Sequence, residues 1–156
     1  MLSRTERIAA ALFEAVAIAL MVALVAAVSW SVLGRQVLGI AVPWATEVAA
    51  GLCLWMICTG SVAAWARREH IVIDVMLRRL SGTPHRLLAI AIELGSMLFL
   101  AVMFDGARRM MVASANSTTT ALSISYTWLY LALAVAAAGM FAFSVAHLVR
   151  LVAGKG

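Results

Sequence analysis

The chain has 156 residues, of which 65% are hydrophobic and only 12% charged, and its mean hydropathy is +1.03. A soluble domain of this size needs far more polar surface, so the composition excludes a soluble enzyme or binding module and requires lipid as solvent. The net charge of +5 does not point to nucleic acid, because nearly every arginine flanks an apolar segment and no basic run is interleaved with exposed aromatics.

A membrane-crossing helix takes roughly 20 residues, and four segments are long enough. The first, residues 8–33, follows Arg4 and Arg7 and superficially looks like a secretion signal. It is too long for the apolar core of a signal and further apolar segments follow, so it reads as an uncleaved first helix that also targets the chain. Gly34 to Pro43 is a short connection that ends with proline at a helix-start position, where its missing N–H costs nothing. A tight turn there makes the first two helices antiparallel neighbours.

The second span is residues 44–66. After it comes the most cationic stretch, residues 67–86, holding Arg67, Arg68, Arg78, Arg79 and Arg86. Within it Ile73, Met76, Leu77 and Leu80 share one helical face, opposite Asp74, Arg78 and Ser81, a pattern that predicts a short amphipathic helix in the headgroup plane. Ser81-Gly82 is a stop signal, and Thr83-Pro84 a cap and first turn. The third span is residues 87–112. The uncharged, Ser/Thr-rich connection from Ala113 to Thr127 reads as an irregular, solvated loop, and the fourth span is residues 128–152. The expectation is thus an all-α membrane protein, one four-helix domain over residues 1–156.

Orientation follows from basic residues. With the N-terminus inside, nine of the 12 Lys and Arg fall on one side: Arg4, Arg7, Arg67, Arg68, Arg78, Arg79, Arg86, Arg150 and Lys155. Arg35, Arg108 and Arg109 fall on the other. Both termini are therefore expected to be cytoplasmic. Trp30, Trp44, Trp128, Tyr126 and Tyr130 then gather near the outer interface and Trp65 near the inner one, as amphipathic rings prefer.

An ionised carboxylate near the bilayer centre costs on the order of 3 kcal/mol, so acids within spans need partners or a purpose. Asp105 has Arg108 and Arg109 three and four residues later on one face. Glu47 lies one turn into the second helix, where either an ion pair with Arg35 or contact with a partner protein would account for it. Glu14 and Glu93 each sit about two turns into their helices from the inner side. No basic residue of the spans is expected at that level, which leaves protonation, interfacial arginines, a partner, or proton coupling.

Cys53 and Cys58 are the only cysteines; about 140° apart on a helix, they cannot pair with each other and read as small buried residues. His70 and His85 fall in the cationic connection and His147 near the inner end of the fourth helix, so bis-imidazole heme ligation finds no support. No Gly-rich phosphate loop, catalytic triad or metal-ligand cluster appears, so no enzyme activity, cofactor or metal is expected. Small residues recur at Gly51, Gly60, Ala64 and Gly95 and through Ala132, Ala134, Ala136, Ala137, Ala138 and Gly139. Close packing inside the bundle and docking of a larger membrane protein both fit them.

The stretch from Val32 through Met76, VLGRQVLGIAVPWATEVAAGLCLWMICTGSVAAWARREHIVIDVM, resembles the small permease subunit (DctQ-type) of tripartite ATP-independent periplasmic (TRAP) transporters. Arg35 after the first helix, Pro43-Trp44 followed by Glu47, Trp55 and Gly60 in the second helix, then Arg68, His70 and Asp74 carry the resemblance. The family commonly has an aromatic directly after the arginine, where this chain has Gln36. It also often has two adjacent acids after the tryptophan, where this chain has Thr46-Glu47.

The resemblance implies a non-catalytic scaffold subunit in a bacterial inner membrane, packed against a large sodium-coupled permease subunit and helping a periplasmic substrate-binding protein to dock for uptake of organic acids. It places Arg35, Trp44 and Glu47 on the periplasmic side, suited to docking, and the His70 and Asp74 segment at the cytoplasmic interface against the large subunit. The competing reading is a self-sufficient proton-coupled exporter of small cations using Glu14. Known four-span exporters are shorter and lack the long cationic second connection.

Overall fold

The computed structural model describes residues 4–37, 39, 42–67 and 83–152. It contains four helices, α1 (Arg4–Val37), α2 (Pro43–Arg67), α3 (Thr83–Ala113) and α4 (Thr127–Val152). All four are long and apolar enough to cross a membrane. α1 has 34 residues, so at 1.5 Å per residue it extends about 50 Å and overshoots a hydrocarbon core of about 30 Å. The surplus turns carry Arg4 to Arg7 at one end and Arg35 and Gln36 at the other. The amphipathic helix expected around Ile73 to Leu80 lies outside the described residues, as do Arg68, His70 and Asp74. Thr83 and Pro84 do open α3, as their capping chemistry implies.

Pro43 begins α2 after a short connection. Gly39 there has a φ of 63°, a left-handed conformation that a residue without Cβ adopts without strain. Gly34 is buried, and a Cβ on it would stand 3.3 Å from a methyl of Val42; its missing side chain lets the chain double back closely. α1 and α2 thus form one antiparallel hairpin, and α3 and α4 form another. α2 packs against α4 to join the two, giving the lateral order α1, α2, α4, α3.

The core sits on the α2–α4 seam. Cys58 and Val62 of α2 meet Ala132, Ala136 and Met140 of α4, and Leu100 of α3 closes the cluster, with Phe13 of α1 packed against it. Ala132, Ala134, Ala136 and Ala137 are all buried inside the bundle. That settles a choice the sequence left open for α4: these small residues bring α2 and α4 together, and only Ala138 of the run is exposed. Outer faces of α1 and α3 present large apolar side chains such as Met21, Val22, Leu98 and Phe99 to the surroundings. In lipid this exposure carries no penalty, because acyl chains are as apolar as the side chains. Cys53 and Cys58 are both free thiols.

The connection from Ser114 to Tyr126 is more ordered than its composition suggests. Thr119 N–H donates to Ile124 O at 2.9 Å, Tyr126 N–H to Ser117 O at 3.0 Å and Ser123 N–H to Thr119 O at 3.1 Å, with an isolated antiparallel bridge between Thr118 and Ser125. Ser125 Oγ accepts from Thr127 N–H at 3.2 Å and Thr127 Oγ1 donates to Met111 O at 3.2 Å. Short hydroxyl side chains here replace the backbone partners that a sheet or helix would provide.

Candidate functional site

The acids singled out from the sequence all find partners within the chain. At the end of the bundle that holds both termini, Arg67 at the close of α2 donates to the Glu14 carboxylate of α1. Arg150 of α4 pairs with Glu6 of α1, and His147 Nδ1 of α4 lies 3.3 Å from Glu93 Oε2 of α3. Three acid–base contacts therefore clasp α2 to α1, α1 to α4 and α4 to α3. The arrangement corrects the expectation that no basic residue of the spans lies at the depth of Glu93. α3 and α4 run antiparallel, which brings a residue near the end of one helix level with a residue in the early turns of the other.

The His147 contact differs in kind from the others. Its nitrogen is within ion-pair range, yet it does not align as a hydrogen bond and is otherwise buried without a partner. The pair thus lies at ion-pair distance, with a charge attraction only when the ring is protonated. Beside it Trp65 Nε1 donates to the buried Ser144 Oγ at 2.9 Å, a further link between α2 and α4.

Glu47 at the opposite end departs from the sequence reading. Its carboxylate accepts from Ala121 N–H at 2.8 Å and from Leu122 N–H at 3.0 Å, instead of pairing with Arg35. Backbone donors in the 114–126 connection must find acceptors, and this connection contains no acid of its own, so Glu47 from α2 serves. Arg35 is exposed and makes no ion pair among the described residues. Asp105 is held as its spacing implies, by Arg108 at 3.1 Å and Arg109 at 2.7 Å.

The other residues of the family-like stretch divide into two groups. Trp44 is exposed and, with Pro43, Thr46, Glu47, Thr120 and Ala121, lines an open groove of about 620 Å³ at the end opposite the termini. Trp55 and Gly60 are turned inward. Trp55 packs on the core cluster and on Trp128, ring centroids 4.8 Å apart and planes tilted by 35°; its Nε1 is buried without a hydrogen-bond partner. Beneath this pair an apolar recess of about 310 Å³ runs between α1, α2, α4 and the ordered connection. A Cβ on Gly60 would lie 3.9 Å from that of Ala17, an ordinary contact on the α1–α2 seam.

No grouping of three or more His, Cys, Asp or Glu suited to a metal ion occurs among the described residues. Sequence reasoning left an interfacial arginine open for Glu14 without naming Arg67, and passed over Glu6, His147 and Arg150 as partners, since their pairing requires knowing which helices are neighbours. It passed over the backbone of residues 121 and 122 because main-chain donors leave no mark in residue identity.

No individually curated protein matches this sequence. A family model described as "Tripartite ATP-independent periplasmic transporters, DctQ component" matches residues 24–154, a span that covers the last part of α1, the family-like stretch and the remaining helices. The four apolar helices and the matched span together show that the chain belongs to the DctQ-component family of tripartite ATP-independent periplasmic transporters.

Proposed function

We propose that this chain is the small, non-catalytic scaffold subunit of a TRAP-type secondary transporter. In this reading it packs against a large sodium-coupled permease subunit in a bacterial inner membrane, with both termini cytoplasmic. A periplasmic substrate-binding protein delivers an organic acid, and the small subunit helps it dock. The chain carries no cofactor and performs no chemistry.

The observation that carries the proposal, beyond family membership, is that all four acids proposed as intramembrane charges are held within the chain. A group that exchanges protons with a cargo needs to alternate between partners and solvent; paired acids that join neighbouring helices suit a static framework. The exporter alternative requires Glu14 as its exchanging group, and Arg67 already engages it. The groove beside Trp44, together with exposed Arg35, offers aromatic and cationic groups at the end assigned to docking. Arg68, His70 and Asp74 are assigned to the cytoplasmic contact with the large subunit.

The test is copurification and reconstitution. The tagged chain is expected to bring down a large membrane protein in mild detergent, and vesicles holding both subunits are expected to accumulate an organic acid only when a sodium gradient and the binding protein are present. Glu14→Gln should leave that uptake largely intact. Accumulation of any solute against a gradient by vesicles holding this chain alone would overturn the scaffold reading.

A further inference from the structure

Arg4, Arg7, Ile8 and Ala11 recur at spacings of three, four and seven residues, so they form one stripe along the first turns of α1. Together with Ala10 and with Arg67 of α2 they line an open groove of about 780 Å³ at the end of the bundle that holds both termini. Three guanidinium groups thus face one recess. Glu14 lies seven residues after Arg7, continues the same stripe and holds the Arg67 side chain. A guanidinium has five N–H donors, so this contact positions Arg67 and leaves further donors for a second acceptor. Arg4 and Arg7 pair with no acid among the described residues, since Glu6, which lies between them in sequence, is bound to Arg150.

The recess also opens toward the bilayer. Ile8 and Leu12 are 61% and 66% exposed, so an apolar surface runs from the arginines toward the hydrocarbon. Cationic donors at the headgroup level above an exposed apolar wall match a phosphate attached to acyl chains.

We propose that this groove is a binding site for the phosphate of an anionic phospholipid headgroup, with Arg4, Arg7 and Arg67 as its ligands and Ile8 and Leu12 beside its acyl chains. The site depends on the membrane setting alone, and its failure would leave the transporter assignment untouched. Occupancy would also fix the terminal end of the α1–α2 hairpin at a set depth, because the lipid holds both helices.

The experiment measures retention of phosphatidylglycerol and of phosphatidylcholine with matched chains on the full-length protein in mild detergent, by native mass spectrometry, with inorganic phosphate as a soluble competitor. The expected result is preferential retention of phosphatidylglycerol, reduced roughly tenfold or more in the Arg4→Gln/Arg7→Gln double variant. The control double variant Arg35→Gln/Arg108→Gln removes the same charge at the opposite end and should retain the lipid as wild type does. Arg67→Lys, which keeps a cation opposite Glu14, should weaken retention less than the double variant. Equal retention of the two lipids, unchanged retention in Arg4→Gln/Arg7→Gln, or equal loss in the control would overturn the site. Inorganic phosphate binding as tightly as the lipid would assign the groove to the free ion and overturn the lipid.

Discussion

Gly139 of α4 faces Val62 of α2 at close range, and adding one methyl group there tests the packing argument. A Cβ at this position would stand 3.0 and 3.3 Å from the two methyls of Val62 and 3.6 Å from Phe13 Cζ. Favourable carbon contacts lie at about 3.5–4.0 Å, so the seam must open by about 0.5–1 Å. Val62 is fully buried, and its β-branched side chain is stiff at χ1. Overpacking of this size costs about 1–3 kcal/mol, set against a gain of up to about 1 kcal/mol from replacing glycine by alanine in a helix. Gly139→Ala should therefore lower stability by about 0–2 kcal/mol net.

Shortening the opposing side chain isolates the clash. In a Val62→Ala background the same substitution should be neutral or stabilising, giving a coupling energy of about 1–3 kcal/mol in a double-mutant cycle. Gly95→Ala is the control, since its Cβ would meet nothing within 4 Å; it should stabilise slightly. Reversible unfolding in mixed micelles, followed by circular dichroism, reads all of these. A coupling below about 0.5 kcal/mol, the usual margin for independent sites, would refute the claim that the α2–α4 seam is closed by Gly139 against Val62.

Other expectations follow from the same contacts. Glu47→Ala should speed hydrogen exchange at Ala121 and Leu122 more than Glu47→Gln does, since the amide keeps one acceptor; unchanged exchange in both would show that the connection orders itself without α2. Glu14→Arg should lower thermal stability in detergent, and adding Arg67→Glu should restore part of the loss; no recovery in the swapped pair would remove the α1–α2 clasp. Trp65→Phe deletes the hydrogen bond to buried Ser144 and should cost about 0.6 kcal/mol, the average for such bonds between membrane helices, and at most about 1.7 kcal/mol. Ser144→Ala in the Trp65→Phe background should add little.

Length and apolar composition decide four crossing helices before any coordinate is known, because lipid forces every backbone polar group to be satisfied inside a helix. The apolar runs place the helices to within a few residues; α1 and α3 exceed the expected spans by several residues and α2 and α4 by one or two, since the hydrogen-bonded helix continues past the hydrocarbon into polar turns. Asp105 with Arg108 and Arg109 was legible for the same reason, as partners three and four residues apart on one helix meet whatever surrounds them. The stretch from Val32 to Met76 also carried the family in its own residues.

Pairings between elements were not legible. Glu14 with Arg67, Glu93 with His147 and Glu6 with Arg150 depend on the lateral order α1, α2, α4, α3, and similar depth in a helix says nothing about which face meets which neighbour. Glu47 shows the limit most sharply: its charge suggested the nearby Arg35, whereas the tertiary fold brought it to two main-chain donors some 70 positions away. The small residues of α4 likewise admitted two uses until Val62 was seen against Gly139. Local periodicity and solvent fix what each segment is; only the packing of one helix on another fixes which groups share a space, because that choice is made by contacts between residues distant in the chain.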